Sequence, residues 1–362
     1  MQMTGASAAL RLLAVYLGAI ICGALLDWLK VPLPFLIGAL LFSMVLSIAG
    51  VRLAPPVITR VLGQLTVAAS VGLSFTPAAV AVVAAMIVPM VAVAALTIAA
   101  GFLASMVLLR LAHMDAVSAM LCSIPIGPVE TANLARSYGV PEAPAVFSQT
   151  LRIVLLILII PPVLFWIDGE VGDPTAALRE VEWRLNGALL LFASALAGGV
   201  LAWLLRLSNP FFLGPLAGSA LAAAFSMPIT GFPYPFLAGA QVLLGVSLGA
   251  TFDRTFLAGA RGFIPAALVS TLTLIALCTL LGFGLAALTG EHWTVMVLAT
   301  APGSITEMAL AAKVLQQGVA LVTAFHVVRI MIIMPLAPLI FRVANRVAQH
   351  FGLGAPPPPR DG

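Results

Sequence analysis

The sequence predicts an all-α polytopic membrane protein: about ten transmembrane helices in two inverted five-helix repeats, each with a broken or re-entrant helical segment. Three observations carry this prediction. Of 362 residues, 62% are hydrophobic and only 8% are charged. The second half of the chain matches the first at a near-constant offset. Each half holds one stretch, 115–138 and 293–315, in which proline and glycine interrupt an apolar helix and a glutamate follows.

A soluble domain carries roughly 25% charged residues. A mean hydropathy of +1.15 therefore excludes a soluble domain, a disordered chain and a coiled coil. The lipid bilayer is the first partner. The net charge of +4 comes from basic residues scattered between apolar runs, so no nucleic acid is expected as a partner. Cys22, Cys122 and Cys278 lie in apolar stretches and read as free thiols. His113, His292, His326 and His350 form no ligand-spaced pair, so no metal site, cofactor or catalytic group is expected, and no enzyme.

The duplication sets the domain boundaries. Gly23-x-Leu25 and Pro34-Phe35-x-x-Gly38-x-Leu40 match Gly199-x-Leu201 and Pro210-Phe211-x-x-Gly214-x-Leu216. Gln64, Gly72, Phe75, Pro125, Glu130, Arg152, Ile153 and Pro161 match Gln241, Gly249, Phe252, Pro302, Glu307, Arg329, Ile330 and Pro338, at an offset larger by one. The first repeat covers 8–167 and the second 186–342. An acidic extramembrane connector lies at 168–185 and a disordered Pro-rich tail at 350–362.

Apolar runs place helices at 8–26, 34–50, 57–75, 80–109 and 145–166, with counterparts at 186–206, 210–227, 236–252, 263–289 and 320–341. Arg11 and the apolar run to Leu26 resemble a signal peptide, but the match to an internal helix makes this run a mature helix. The fourth helix of each half carries Pro89 or Pro265 near its start, which predicts a kink. The broken segments read Ser123-Ile-Pro-Ile-Gly-Pro-Val-Glu130 and Thr300-Ala-Pro-Gly-Ser-Ile-Thr-Glu307. Broken backbone at membrane depth persists only where protein buries it or water reaches it.

Charge decides whether these segments cross. If they are re-entrant and the N-terminus is cytoplasmic, Arg11, Arg52, Arg60, Arg110, Arg136, Arg206, Arg254, Arg261, Arg342, Arg346 and Arg360 face inside. Only Lys30, Arg179, Arg184 and Lys313 then face outside. Eleven against four becomes nine against six if the segments cross. The expectation is a multi-pass protein of the bacterial inner membrane with both termini cytoplasmic.

Within the membrane the charged residues are Glu130, Glu307, Arg152 and Arg329. Ser304 fits an N-cap with Glu307 at N3; Gly127, Pro128 and Glu130 fit N-cap, N1 and N3. The glutamates therefore read either as helix caps or as a proton or cation site. The arginines read either as partners of Glu130 or Glu307, or as a fork for a carboxylate or phosphate. Gln64 and Gln241, beside Ser70, Gly72, Ser247 and Gly249, suggest close helix packing with an interhelical hydrogen bond. Ser123, Thr300 and Asn133 are candidates for lining a cavity. His326, three residues before Arg329, is either a proton shuttle or a bundle hydrogen bond. Asp27, Lys30 and Asp253 read as interface anchors.

Pro34-Phe-x-x-Gly38, the Gln64…Gly72…Phe75 stretch and Pro302-Gly-Ser-Ile-Thr-Glu-Met308 together resemble the bacterial AbrB-type membrane protein family, over about residues 10–345. Members usually show Pro-Gly-Gly-x-x-Glu-Met in both halves. The first half departs from this as Pro125-Ile126-Gly127-x-x-Glu130-Thr131. Members are labelled ammonia monooxygenases, and also regulators after one was linked to gene regulation. A copper monooxygenase needs clustered histidines, and a DNA-binding regulator a basic module; the sequence supplies neither.

The functional expectation is a secondary transporter coupled to a proton or cation, moving a small polar, carboxylate-bearing solute by alternating access. A membrane-embedded regulator or sensor acting through a partner is the alternative, and a monooxygenase-like oxidoreductase a disfavoured third. Architectural analogy to inverted-repeat symporters adds a homodimer to the expected partners.

Overall fold

In the computed structural model the described residues are 5–167, 173, 175–181, 183–207, 209–252 and 254–350. The tail from 351, the connector residues 168–172 and the anchor Asp253 lie outside them. The described residues form helices and no strand: α1 Gly5–Trp28, α2 Pro34–Ile48, α3 Val57–Gly72, α4 Pro77–Ala85, α5 Ile87–Leu111, α6 Ala116–Ser123, α7 Pro128–Ser137, α8 Glu142–Ile167, α9 Ala176–Arg179, α10 Leu185–Leu204, α11 Pro210–Ala224, α12 Tyr234–Gly249, α13 Arg254–Gly259, α14 Phe263–Thr289, α15 Trp293–Thr300, α16 Ile305–Val314 and α17 Val319–His350.

The protein is an all-α, polytopic membrane protein. Six helices (α1, α5, α8, α10, α14 and α17) are long and apolar enough to cross a membrane. The pair α3–α4, bent by 93°, makes a seventh if it counts as one span. The other three predicted crossings, α2, α11 and α12, have 15, 15 and 16 residues. At 1.5 Å per residue these reach about 22–24 Å, short of a ~30 Å hydrocarbon core.

The predicted helix 80–109 is two helices, α4 and α5, parted at Met86. Pro89 and Pro265 are each the third residue of α5 and α14. In the first half the helix parts at Met86, three residues before Pro89, where a proline ring would clash with the carbonyl of Ala85 in a continuous helix.

Element lengths recur between the halves. α2 and α11 both have 15 residues and both follow a left-handed residue, Leu33 (φ 56°) and Asn209 (φ 55°), with proline at N1. α3 and α12 both have 16 residues, α6 and α15 both 8, and α7 and α16 both 10.

The chain forms two compact units. Among the described residues, unit 1 falls within 1–85, 157–254 and 306–321, and unit 2 within 86–156, 255–305 and 322–362. In unit 1, α1 packs on α2 and α10 on α11, while α12 packs on α2 and α3 on α11. Glycine permits the crossings. A Cβ on Gly249 would lie 2.5 Å from the Leu40 carbonyl oxygen, and one on Gly72 would lie 1.8 Å from Ser219 Oγ. Gln241 is fully buried, and its Oε1 accepts a hydrogen bond from the Leu36 N–H (3.3 Å) in the first turn of α2. The packing expected for Gln241 and its small neighbours is thus present.

In unit 2, α5 packs on α14, α6 on α5 and α15 on α14. Met120, Leu121, Ile124, Ile333 and Phe341 stand in its main apolar core.

Candidate functional site

Both predicted breaks are present. α6 ends at Ser123 and α7 begins at Pro128; α15 ends at Thr300 and α16 begins at Ile305. In the first break Gly127 is the N-cap, Pro128 takes N1 and Glu130 N3. The half-buried Glu130 carboxylate folds back over Gly127, where an added Cβ would meet Oε2 at 2.1 Å. A carboxylate in that place faces the unpaired N–H groups and positive end of α7.

Breaking a helix also frees the carbonyl groups at the end of its first piece, and burial makes them costly unless paired. Arg152 of α8 supplies the donors in the first break. Its Nη1 donates to the carbonyls of Ser123 (3.3 Å) and Ile124 (3.5 Å), and its Nη2 to that of Ile126 (3.4 Å). Gln149, one turn earlier, accepts from Arg152 Nη2 and donates from Nε2 to the carbonyls of Leu121 (2.7 Å) and Ile124 (2.8 Å). In the second break Arg329 of α17 donates from Nη1 to the Ala301 carbonyl and from Nη2 to that of Gly303, both at 2.7 Å. Both arginines are 1% exposed.

The arginines were expected against Glu130 or Glu307, or free for a substrate anion. Each bonds carbonyl oxygens of its own break. The planar fork spans two carbonyls two residues apart. Gln149 is the residue that sequence reasoning missed. The available signal was its place in the repeat: it precedes Arg152 by the same three positions that His326 precedes Arg329.

The remaining candidates divide. Ser123 Oγ bonds the Ala119 carbonyl in its own helix and lies 3.4 Å from Ser270 Oγ, which donates to the Ala104 carbonyl. Thr300 Oγ1 donates to the Cys278 carbonyl of α14 and the Met296 carbonyl, both at 2.9 Å. These two residues fasten the ends of α6 and α15 within unit 2. Asn133 is exposed, and its Oδ1 accepts from Arg136 Nη2 at 2.8 Å, which places it on the outer face of α7. Ser304 occupies the N-cap place of α16 and Glu307 its N3 place, where the latter is buried. Gln64 is buried in α3 and Gln241 in α12, both in unit 1. His326 is fully buried, with Nδ1 at 2.9 Å from the Val322 carbonyl of its own helix.

An apolar helical protein with two helix breaks, each clasped by a buried arginine, defines an integral membrane protein of the broken-helix type. The chain belongs to the AbrB family: the family described as "Transition state regulatory protein AbrB" matches residues 35–345. It is similar to "Uncharacterized protein YhjN" of Bacillus subtilis (strain 168), 25% identical over 267 residues, 70% of each chain. It is also similar to "Putative regulator AbrB" of Escherichia coli (strain K12), 23% identical over 322 residues, 88% of this chain and 91% of that one. No solved structure matches.

Proposed function

We propose that this protein is a secondary transporter of the inner membrane, built from two inverted repeats (8–167 and 186–342) with cytoplasmic termini. It moves a small polar, carboxylate-bearing solute by alternating access, coupled to a proton or another cation. The observation that carries this reading is the arginine clasp on each break. A cell that needed only a membrane anchor would have no use for two interrupted helices whose freed carbonyls demand buried guanidinium groups. Interrupted helices inside a bundle are how many secondary transporters expose backbone donors and acceptors to a solute at mid-membrane. Glu130 and Glu307, at the N3 places of α7 and α16, are the proposed ion-binding carboxylates.

The test is solute flux into proteoliposomes holding the purified protein, across a broad panel of small carboxylates. Saturable uptake that falls sharply in correctly folded E130Q and E307Q supports the reading. Failure of every solute to move or to raise the melting temperature removes it. The name of the E. coli relative favours a second reading, a membrane-embedded regulator acting through a partner. That reading gains if the panel fails and a partner co-purifies stoichiometrically.

A further inference from the structure

The two clasps differ at one position. In the first, Gln149 Nε2 donates to the carbonyl of Ile124 and Oε1 accepts from Arg152, so its amide is engaged at both ends. His326 takes the equivalent place in the second half. A carbonyl oxygen only accepts, so the contact with Val322 makes Nδ1 the protonated ring nitrogen of neutral His326. Nε2 then carries a lone pair. It is buried without a hydrogen bond of its own, and the Ala301 carbonyl is its neighbouring acceptor. Ala301 is the repeat counterpart of Ile124. The first break therefore holds permanently a hydrogen bond that the second lacks while its histidine is neutral.

We propose that His326 is the proton-binding group of the second break: Nδ1 stays bonded to Val322, and Nε2 takes up a proton and donates it to the Ala301 carbonyl. Imidazole becomes imidazolium, no other bond changes, and the carbonyl has a second lone pair for the added donor. Within unit 2 the charged and titratable groups around the ring are few. Arg329 on its own helix acts on the ring directly, and Arg152 on α8 and Cys278 on α14 stand next to Arg329; α15 and residues 301–304 bring none. A proton on His326 adds a third positive charge to this set, so uptake favours any arrangement in which the second break parts from Arg329 or meets an anion. The proton's role in coupling rests on the transporter reading; its binding at Nε2 does not.

His113, His292 and His350 are all exposed, so the triple variant H113Q/H292Q/H350Q leaves His326 as the sole source of histidine signals. In this variant, with nitrogen-labelled histidine, ring-nitrogen NMR should show the uncommon Nδ1–H tautomer at neutral pH. As pH is lowered over the range in which the protein stays folded, Nε2 should move to the protonated region. An Nε2–H tautomer at neutral pH, or an Nε2 that never gains a proton, overturns the proposal. H326Q should fold, because glutamine fills this place in the first half, and any solute flux found should lose its pH dependence in it. A flux that keeps its pH dependence in H326Q overturns the coupling role while leaving transport standing. Protonation of Nε2 without any flux upholds the proton site and removes the transporter reading.

Discussion

Arg152 and Arg329 each lay one guanidinium across the carbonyls of residues 28 and 26 positions earlier in the chain. The clasps are not equally supported. Ile124 also receives a hydrogen bond from Gln149. The side-chain bonds described to the Ala301 and Gly303 carbonyls come from Arg329, both at 2.7 Å. Each buried carbonyl left unpaired costs about 1–3 kcal/mol. R329A should therefore destabilise the protein by roughly 2–6 kcal/mol. R152A also strips two carbonyls, Ser123 and Ile126, of their arginine, but those bonds are longer, 3.3 and 3.4 Å against 2.7 Å, so it should cost less. Thermal unfolding of the two variants in detergent checks the order, and an equal or reversed loss would sink the argument.

Lysine should not replace arginine here. An ammonium on a flexible stem cannot span two carbonyls as a planar fork does, and it keeps the full cost of a buried charge. R329K is expected to unfold at a temperature closer to R329A than to the parent. A melting temperature near the parent's would show that charge alone, without the fork, holds the break.

The helix-crossing glycines give a graded prediction. On Gly249 an added methyl meets the Leu40 carbonyl at 2.5 Å and the Met44 nitrogen at 2.7 Å; on Gly239, in the same helix, it meets nothing within 4 Å. G249A must push α12 off α2 and should cost about 1–3 kcal/mol. G239A should be neutral or stabilising by about 0.5–1 kcal/mol, because alanine limits the unfolded chain. Unfolding both variants side by side is the check, and equal behaviour would contradict the packing.

Much of this was legible in the sequence because membrane burial makes polar residues scarce. Glu130 and Arg152 recur in the second half as Glu307 and Arg329, and proline and glycine between α6 and α7 announced the break. The partner of Arg152 was not legible, because backbone carbonyls have no letter in the sequence. Gln149 was missed since its counterpart is a histidine, so identity matching passed over it. The shortness of α2, α11 and α12 escaped because hydropathy measures a run of apolar residues rather than where the helix within it ends.

The segment around α9 offers a pH test outside the long apolar helices. Arg179 Nη2 grips both carboxylate oxygens of Asp27, at 2.8 and 2.6 Å, and Nη1 lies 3.7 Å from Asp173 Oδ2. Partial burial raises the Asp173 carboxyl. Hydrogen bonds from the Thr175 hydroxyl and N–H, with the charges of Arg179 and Lys30, outweigh that and hold it below the usual carboxylate range. A depressed folded value means that the ionised form stabilises the fold. That contribution is complete above the unfolded value of about 3.9 and is lost as pH falls through the lower folded value. The groups are partly exposed to solvent, so the effect is local rather than global. Amide hydrogen exchange over 175–181, corrected for intrinsic rate, should therefore quicken on acidification below about pH 4 in the parent. In D173N it should already be faster at neutral pH and change less with acid. If parent and D173N loosen in parallel as the pH falls, Asp173 is not the group that holds this segment.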